Sequence, residues 1–354
     1  MLLRDALPEF RDKHHGWLGY GLPLLYAAAA HAAGVALLVS PGPRAPSTAQ
    51  LAASVLLAAH GRTVAAYLVH EAAHSSVFTR PRHNWVYGTL CLWLCGAPYC
   101  SFSHVRKLHI AHHYDRADTV EFDYRSALKA APAILRGCVL ALEWAFCPAV
   151  EMLMHVRSAV APFLNRSLPL AAERRLMSAI GTPVALAFWA FLVARSGMMA
   201  LCLYFLSTAV FLQILSVHDA FQHTYTVLLP NADGTYVTGP GPRTPAYEEE
   251  NTYSPLISES WPLVNALTLN FGMHNAHHRK PMTPWYKLPA LHREMYAKSG
   301  GTSAQVLPMT ELWGTYIRNR LRRVLEEDYG VVAKAGSDRA RAFVGSLGVS
   351  FLTV

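Results

Sequence analysis

Four apolar runs dominate the 354-residue chain, at about 21–40, 50–69, 176–195 and 198–217. Each has the length a helix needs to cross a bilayer, about 20 residues at 1.5 Å each. "PGPRAPST" joins the first pair and little more than "RSG" joins the second, so each pair is expected to fold as a tight helical hairpin. Composition agrees: 52% of residues are hydrophobic and 15% charged, against about 25% charged in soluble domains. The formal charge of +8 is scattered between the apolar runs. No stretch rich in Lys and Arg with interleaved aromatics builds a nucleic-acid surface, so no nucleic-acid partner is expected.

Basic residues set the orientation. The hairpin tips carry Arg44 and Arg195, whereas the region between the pairs carries twelve Lys and Arg residues, from Arg80 to Arg175. By the positive-inside rule, that middle region and both termini face the cytoplasm. The run "WVYGTLCLWLCGAPYCSF", 85–102, is short and broken by Gly96 and Pro98, and reads as a re-entrant or interfacial helix. Residues 131–164 suit amphipathic helices lying on the membrane surface. A polar, turn-rich loop or hairpin follows the fourth run, from Leu228 to Pro255, and a basic amphipathic helix is expected near 311–327. The tail from Val331 carries no recognisable role. The expectation is an all-α membrane protein with a domain over 1–300 and a cytoplasmic C-terminal helix and tail over 301–354.

The six cysteines (Cys91, Cys95, Cys100, Cys138, Cys147 and Cys202) sit in apolar surroundings without a CxxC pair, and read as small buried apolar residues in a reducing compartment. The N-terminal "MLLRDALPEFRDKHH" is polar and mixed in charge, unlike a cleaved signal peptide.

Histidine carries the chemistry. Ten of the 18 fall in four groups: "HEAAH" (His70, His74), "HIAHH" (His109, His112, His113), "HDAFQH" (His218, His223) and "HNAHH" (His274, His277, His278). In a helix, positions i, i+3 and i+4 share a face, so each HxxHH is a fan of three imidazoles. HEAAH closes the second apolar run, HDAFQH closes the fourth, and the HxxHH groups lie in the cytoplasmic segments that follow. All four can meet at one membrane face. A catalytic zinc takes three protein ligands, so nine or ten imidazoles suit two metals. Imidazole alone does not choose between zinc, copper and iron.

The order HxxxH, HxxHH and a distant HxxHH around two membrane hairpins resembles the membrane fatty acid desaturase and hydroxylase superfamily, over roughly residues 50–292. "FQHTY" (221–225) is similar to the "QHTH" that supplies that family with a further histidine. The resemblance implies that His70, His74, His109, His112, His113, His223, His274, His277 and His278 bind two irons, with O₂ as co-substrate and no catalytic residue beyond the ligands. It also places Asp219, one helical turn before His223, where some members hold an asparagine that reaches iron through water, making Asp219 a candidate ligand. His218 would project away from His223. Glu71, Asp115, Asp118 and Asp123 are candidates for holding imidazole N–H groups. The implied activity is desaturation of a fatty-acyl or similar lipid chain, with hydroxylation through the same ligands as the alternative. The family's HPGG haem motif is absent, so electrons would come from a separate ferredoxin-, rubredoxin- or cytochrome-type donor, which the basic cytoplasmic face could dock.

Arg62 lies within an apolar run, eight residues before His70. An intramembrane arginine is a functional candidate by default, here for a lipid headgroup or carboxylate, with a structural partner as the alternative. "KPMTPWYKLP" (280–289) reads as rigid loop packing after the last ligands.

Two rival readings fit parts of the sequence. HExxH is the zinc signature of metalloproteases, with Glu71 as general base, and intramembrane zinc proteases draw a third ligand from an Asn-x-Asp-Gly segment. "NADG" occurs at 231–234, but a Gly-rich turn explains it without metal, and a protease leaves both HxxHH groups without a purpose. A metal or lipid transporter would need polar residues running across the spans, whereas here they gather at one end.

Overall fold

The structure is a computed structural model that describes residues 8–39, 46–229, 243–296, 303–333 and 339–347. Arg44 and the "NADG" turn lie outside the described residues. The chain is mostly helical and forms two compact units. The first comprises Met1–Arg106, Ser158–Arg166 and Leu170–Leu212; the second comprises Lys107–Arg157, Ser167–Pro169 and Gln213–Val354.

Helix α1 (Leu22–Val39), preceded by a π-helical turn over Trp17–Gly21, packs along α2 (Thr48–Ala73) in the first unit. Small residues allow the approach. A Cβ on Gly34 would stand 2.7 Å from the Ser54 carbonyl oxygen, and one on Gly61 would stand 2.7 Å from that of Ala27. Ser47 starts α2 by accepting a hydrogen bond from the Gln50 N–H, the usual N-cap device. Helix α3 (Pro81–Leu94) ends before Gly96, and α4 (Phe102–Asp115) begins after the turn. The run 85–102 is therefore one helix, a turn and the start of another, because Gly96 takes a positive φ and Pro98 follows.

Among the described residues, three helical stretches have the length and apolar character to cross a membrane: Trp17–Val39, Thr48–Ala73 and Ala171–Asp219. The last, α8, is a 49-residue run interrupted at Gly197, where φ is 77° and ψ is −179°. That combination is open essentially to glycine alone. Phe188 and Tyr204 lie on either side of the break with ring centroids 5.1 Å apart, as do Trp189 and Phe205. Residues 16 apart in one straight helix would be about 24 Å apart, so the chain doubles back at Gly197. Leu38, Leu192, Ala200 and Tyr204 form the core beside this bend.

Helix α7 (Ala149–Leu164) begins in the second unit and ends among residues of the first. The remaining elements, all in the second unit, are β1 (Asp118–Thr119), α5 (Tyr124–Ala130), α6 (Ala133–Trp144), β2 (Val227–Leu228), α9 (Pro245–Glu250), β3 (Ser254–Leu256), α10 (His274–Arg279), α11 (Leu288–Tyr296), β4 (Val306–Pro308), α12 (Met309–Arg318) and α13 (Arg320–Leu325). The strands correct the purely helical expectation. β1 pairs in parallel with β2 through Asp118↔Val227, and β3 pairs in parallel with β4 through Ser254↔Val306. Buried backbone that leaves a helix still needs partners, and these ladders supply them. Helix α9 stands where the sequence suggested a loop. Thr244 caps it by accepting from the Tyr247 N–H, and Pro245 holds its first turn.

The cysteines divide. Cys91, Cys95 and Cys100 are buried, Cys147 is half-buried, and Cys138 and Cys202 are exposed. Cys138 is an apolar neighbour of Ile134, Leu135 and Leu142 on α6, which are themselves exposed. An apolar setting in sequence is here a surface the chain leaves uncovered.

Candidate metal centre

His70 and His74 end α2 in the first unit, both buried, with ring centroids 4.8 Å apart. Glu71 is also buried. Its Oε2 accepts hydrogen bonds from the Tyr20 hydroxyl (3.0 Å) and the Ser76 hydroxyl (3.2 Å), and its Oε1 lies 3.8 Å from His70 Nδ1. Arg62, in the same helix, is 0% exposed. Its Nη1 donates to Thr208 Oγ1 (2.5 Å) and Ser207 Oγ (3.3 Å), and its guanidinium lies 4.2 Å from the centre of the Tyr204 ring.

The second unit holds seven further imidazoles in two adjoining groups. The ligand atoms of His112, His223, His274 and His278 all lie within 4.8 Å of one another. His223 Nε2 is 3.1 Å from His112 Nε2 and 2.8 Å from His274 Nε2. Beside this quartet, His113 and His277 bring their Nε2 atoms to 3.1 Å, and the His109 ring lies 4.8 Å from that of His113. The rings of His113 and His278, one from each group, are 4.1 Å apart.

Local structure explains the convergence. Helix α4 aims His109, His112 and His113 from one face, and the short α10 does the same for His274, His277 and His278. β1 follows the first fan and β2 follows His223, so their pairing ties these segments together. The Asp118 N–H donates to the Thr226 carbonyl at 3.0 Å. α10 is tied to β3 through Asn275, whose Nδ2 donates to the Thr252 carbonyl (2.6 Å) and whose Oδ1 accepts from the Ser254 hydroxyl (2.6 Å).

Outer partners fix which nitrogen faces inward. His112 Nδ1 lies 2.9 Å from the Ala117 carbonyl. A carbonyl can only accept, so Nδ1 carries the proton and Nε2 presents its lone pair. His278 Nδ1 likewise donates to Glu248 Oε1 at 2.9 Å, while Arg116 Nε donates to Glu248 Oε2 at 2.8 Å. Burial alone would raise the Glu248 carboxyl, but its hydrogen bonds from His278 and Arg116 outweigh that and hold it below the ordinary 4.5. Burial, followed by the neighbouring His278, His112 and His274, pushes His223 well below the usual 6.5. His223 is thus kept neutral, the form that ligates a metal.

Of the three Nε2 atoms that meet at about 3 Å, the one on His112 is a pure acceptor, and a single proton on His223 Nε2 makes a straight hydrogen bond to only one of its two neighbours. A cation held by their lone pairs satisfies them, and metal–nitrogen bonds of about 2 Å bring ligand nitrogens roughly this close. The donor set fits a metal ion.

The other sequence candidates fall as follows. Asp118 is buried, its Oδ1 3.4 Å from His112 Nδ1. Asp123 is used elsewhere: it caps α5, accepting from the Ser126 N–H at 2.9 Å. Asp115 contributes its carbonyl to Arg243 at 3.1 Å. Asp219 and His218 are buried at the end of α8, but neither belongs to the grouped ligand atoms among the described residues. Glu248 is the residue sequence reasoning missed. It forms a third group with His113 and His278, and the Thr-Pro start signal of its helix was the available clue. Tyr225 was also passed over; it stacks on His223 with centroids 4.0 Å apart.

The fatty acid desaturase family model matches residues 46–309, well over half of the chain. The chain belongs to the fatty acid desaturase family. The match takes in every histidine described above, and makes this desaturase-family protein an oxidoreductase of the membrane. No curated protein matches the chain.

Proposed function

We propose that this protein is an O₂-dependent di-iron enzyme that introduces a double bond into a fatty-acyl or similar lipid chain. The observation that carries the reading is the pair of adjoining imidazole groups, His112/His223/His274/His278 and His109/His113/His277, in a chain of this family. His70 and His74, which the family pattern counts among the ligands, supply the remaining imidazoles. Two irons, when bound, supply the oxidising power to attack an unactivated C–H bond with O₂.

The chain's own residues do the rest. Glu248, Asp118 and the Ala117 carbonyl hold imidazole N–H groups outward, so the lone pairs point inward before any metal arrives. Glu71, held by the Tyr20 and Ser76 hydroxyls, places its carboxylate beside His70, 3.8 Å from Nδ1. Arg62 anchors an acidic lipid group or braces its helix against Ser207 and Thr208. Four spans in two hairpins, counting both sides of the Gly197 bend, leave the termini and the histidines on the cytoplasmic face. There the basic surface docks a separate electron-donor protein. Asp219 is a reserve ligand of this reading.

Mass spectrometry of lipids from cells that express the protein with an electron donor tests it. Chains lacking two hydrogens are expected. Chains that gain one oxygen atom make the enzyme a hydroxylase, and lipids left unchanged by an iron-loaded, reduced protein would refute the substrate class.

A further inference from the structure

The family match ends at residue 309, yet residues beyond it reach the turn that carries His223. Helix α8 ends at Asp219 and, like any helix, leaves its last carbonyls without partners in the helix. The Ser346 N–H donates to the Ala220 carbonyl at 2.8 Å, and the Ser346 hydroxyl donates to the Asp219 carbonyl at 3.3 Å. Gly345 makes this contact feasible. Its φ is +83°, and a Cβ there would stand 2.7 Å from the Ala220 oxygen. Phe343, fully buried, packs edge-on against Phe221 with centroids 5.1 Å apart and lies 5.2 Å from Tyr253.

The opposite side of the turn is held by residues 251–253, which lead into β3. The Tyr253 N–H donates to the Gln222 carbonyl (2.7 Å), the Thr224 N–H donates to the Asn251 carbonyl (3.1 Å), and Thr252 Oγ1 lies 3.3 Å from His223 Nδ1. His223 therefore stands between two clamps. The outer clamp is itself fixed: Thr315 Oγ1 donates to the Phe343 carbonyl (2.8 Å), Arg323 Nη1 to the Val344 carbonyl (3.1 Å), and the Tyr124 hydroxyl to the Leu347 carbonyl (3.2 Å). Ser346 is 3% exposed, so its hydrogen bonds face no competition from water.

We infer that the C-terminal strap Phe343–Leu347 is a positioning element that sets His223 in the quartet, with Ser346 and Gly345 as its contact residues. This rests on reading His223 as a metal ligand. The strap ties down the carbonyls one turn before His223, and so limits how far its imidazole can swing from His112 and His274.

Purified full-length protein, stripped of metal and titrated with Co²⁺, tests the inference through chelator competition and the visible ligand-field spectrum. Melting of the metal-free protein is followed in parallel. Gly345→Ala and Ser346→Ala are expected to bind Co²⁺ about 10- to 100-fold more weakly, the range for residues that orient ligands, and to shift the spectrum. Ser346→Ala should melt near wild type. Wild-type affinity and spectrum in both variants would overturn the inference. So would weakened binding that tracks an equal loss of melting temperature, which marks a merely structural strap. A wild-type protein that binds no Co²⁺ at all would instead overturn the metal-centre reading, and the two failures are distinct.

Discussion

At the scale of single residues, the site is decided by what lies behind each imidazole. Glu248 is the sharpest case: it joins His278 to Arg116 through bonds of 2.9 and 2.8 Å. Replacing it with glutamine keeps the shape but removes the charge that holds the His278 N–H outward. Glu248→Gln should retain the fold and bind metal about 10- to 100-fold more weakly, measured by chelator competition; unchanged affinity would show that the carboxylate is not a support. The grouping of the histidines was legible in the sequence because i, i+3 and i+4 spacing is a local property of a helix. Glu248 was not, because it reaches His278 across 30 residues through a fold that no spacing encodes. Asp123 shows the converse. An acidic residue ten positions after a ligand looks like a partner, but the start of a helix claimed it first.

At the scale of elements, the apolar runs were legible because burial in hydrocarbon leaves few alternatives to a helix. Their ends were less so: α2 runs on to Ala73 and the first stretch begins at Trp17. The short connection "RSG" proved to hinge on one residue. Gly197 adopts a φ of 77° with a ψ of −179°, a region that costs other residues about 1–3 kcal/mol. Gly197→Ala should therefore destabilise the protein by about that amount, seen as a lower melting temperature in detergent. Melting at the wild-type temperature would mean that the bend does not depend on this backbone conformation. The parallel pairings β1–β2 and β3–β4 were invisible in advance, since strands of two or three residues carry no periodicity. The β1–β2 pairing nevertheless ties the first HxxHH segment to that of His223, and an antiparallel bridge between His223 and Thr252 ties the latter to the chain leading into β3.

At the scale of the whole molecule, composition and the histidine groups pointed to a membrane oxidoreductase, and the family match over residues 46–309 agrees. The C-terminal region was silent in sequence because its role lies in contacts with distant backbone, such as Ser346 with Ala220. HEAAH alone is a zinc-protease signature, and the further histidine groups in the same sequence are what give it another meaning. Both readings use His70 and His74 as ligands, so the identity and number of the metals separate the two. The most direct measurement is elemental analysis of protein purified from iron-replete cells. Close to two irons per chain, with little zinc, is the predicted result. One zinc per chain and no iron would contradict the di-iron account.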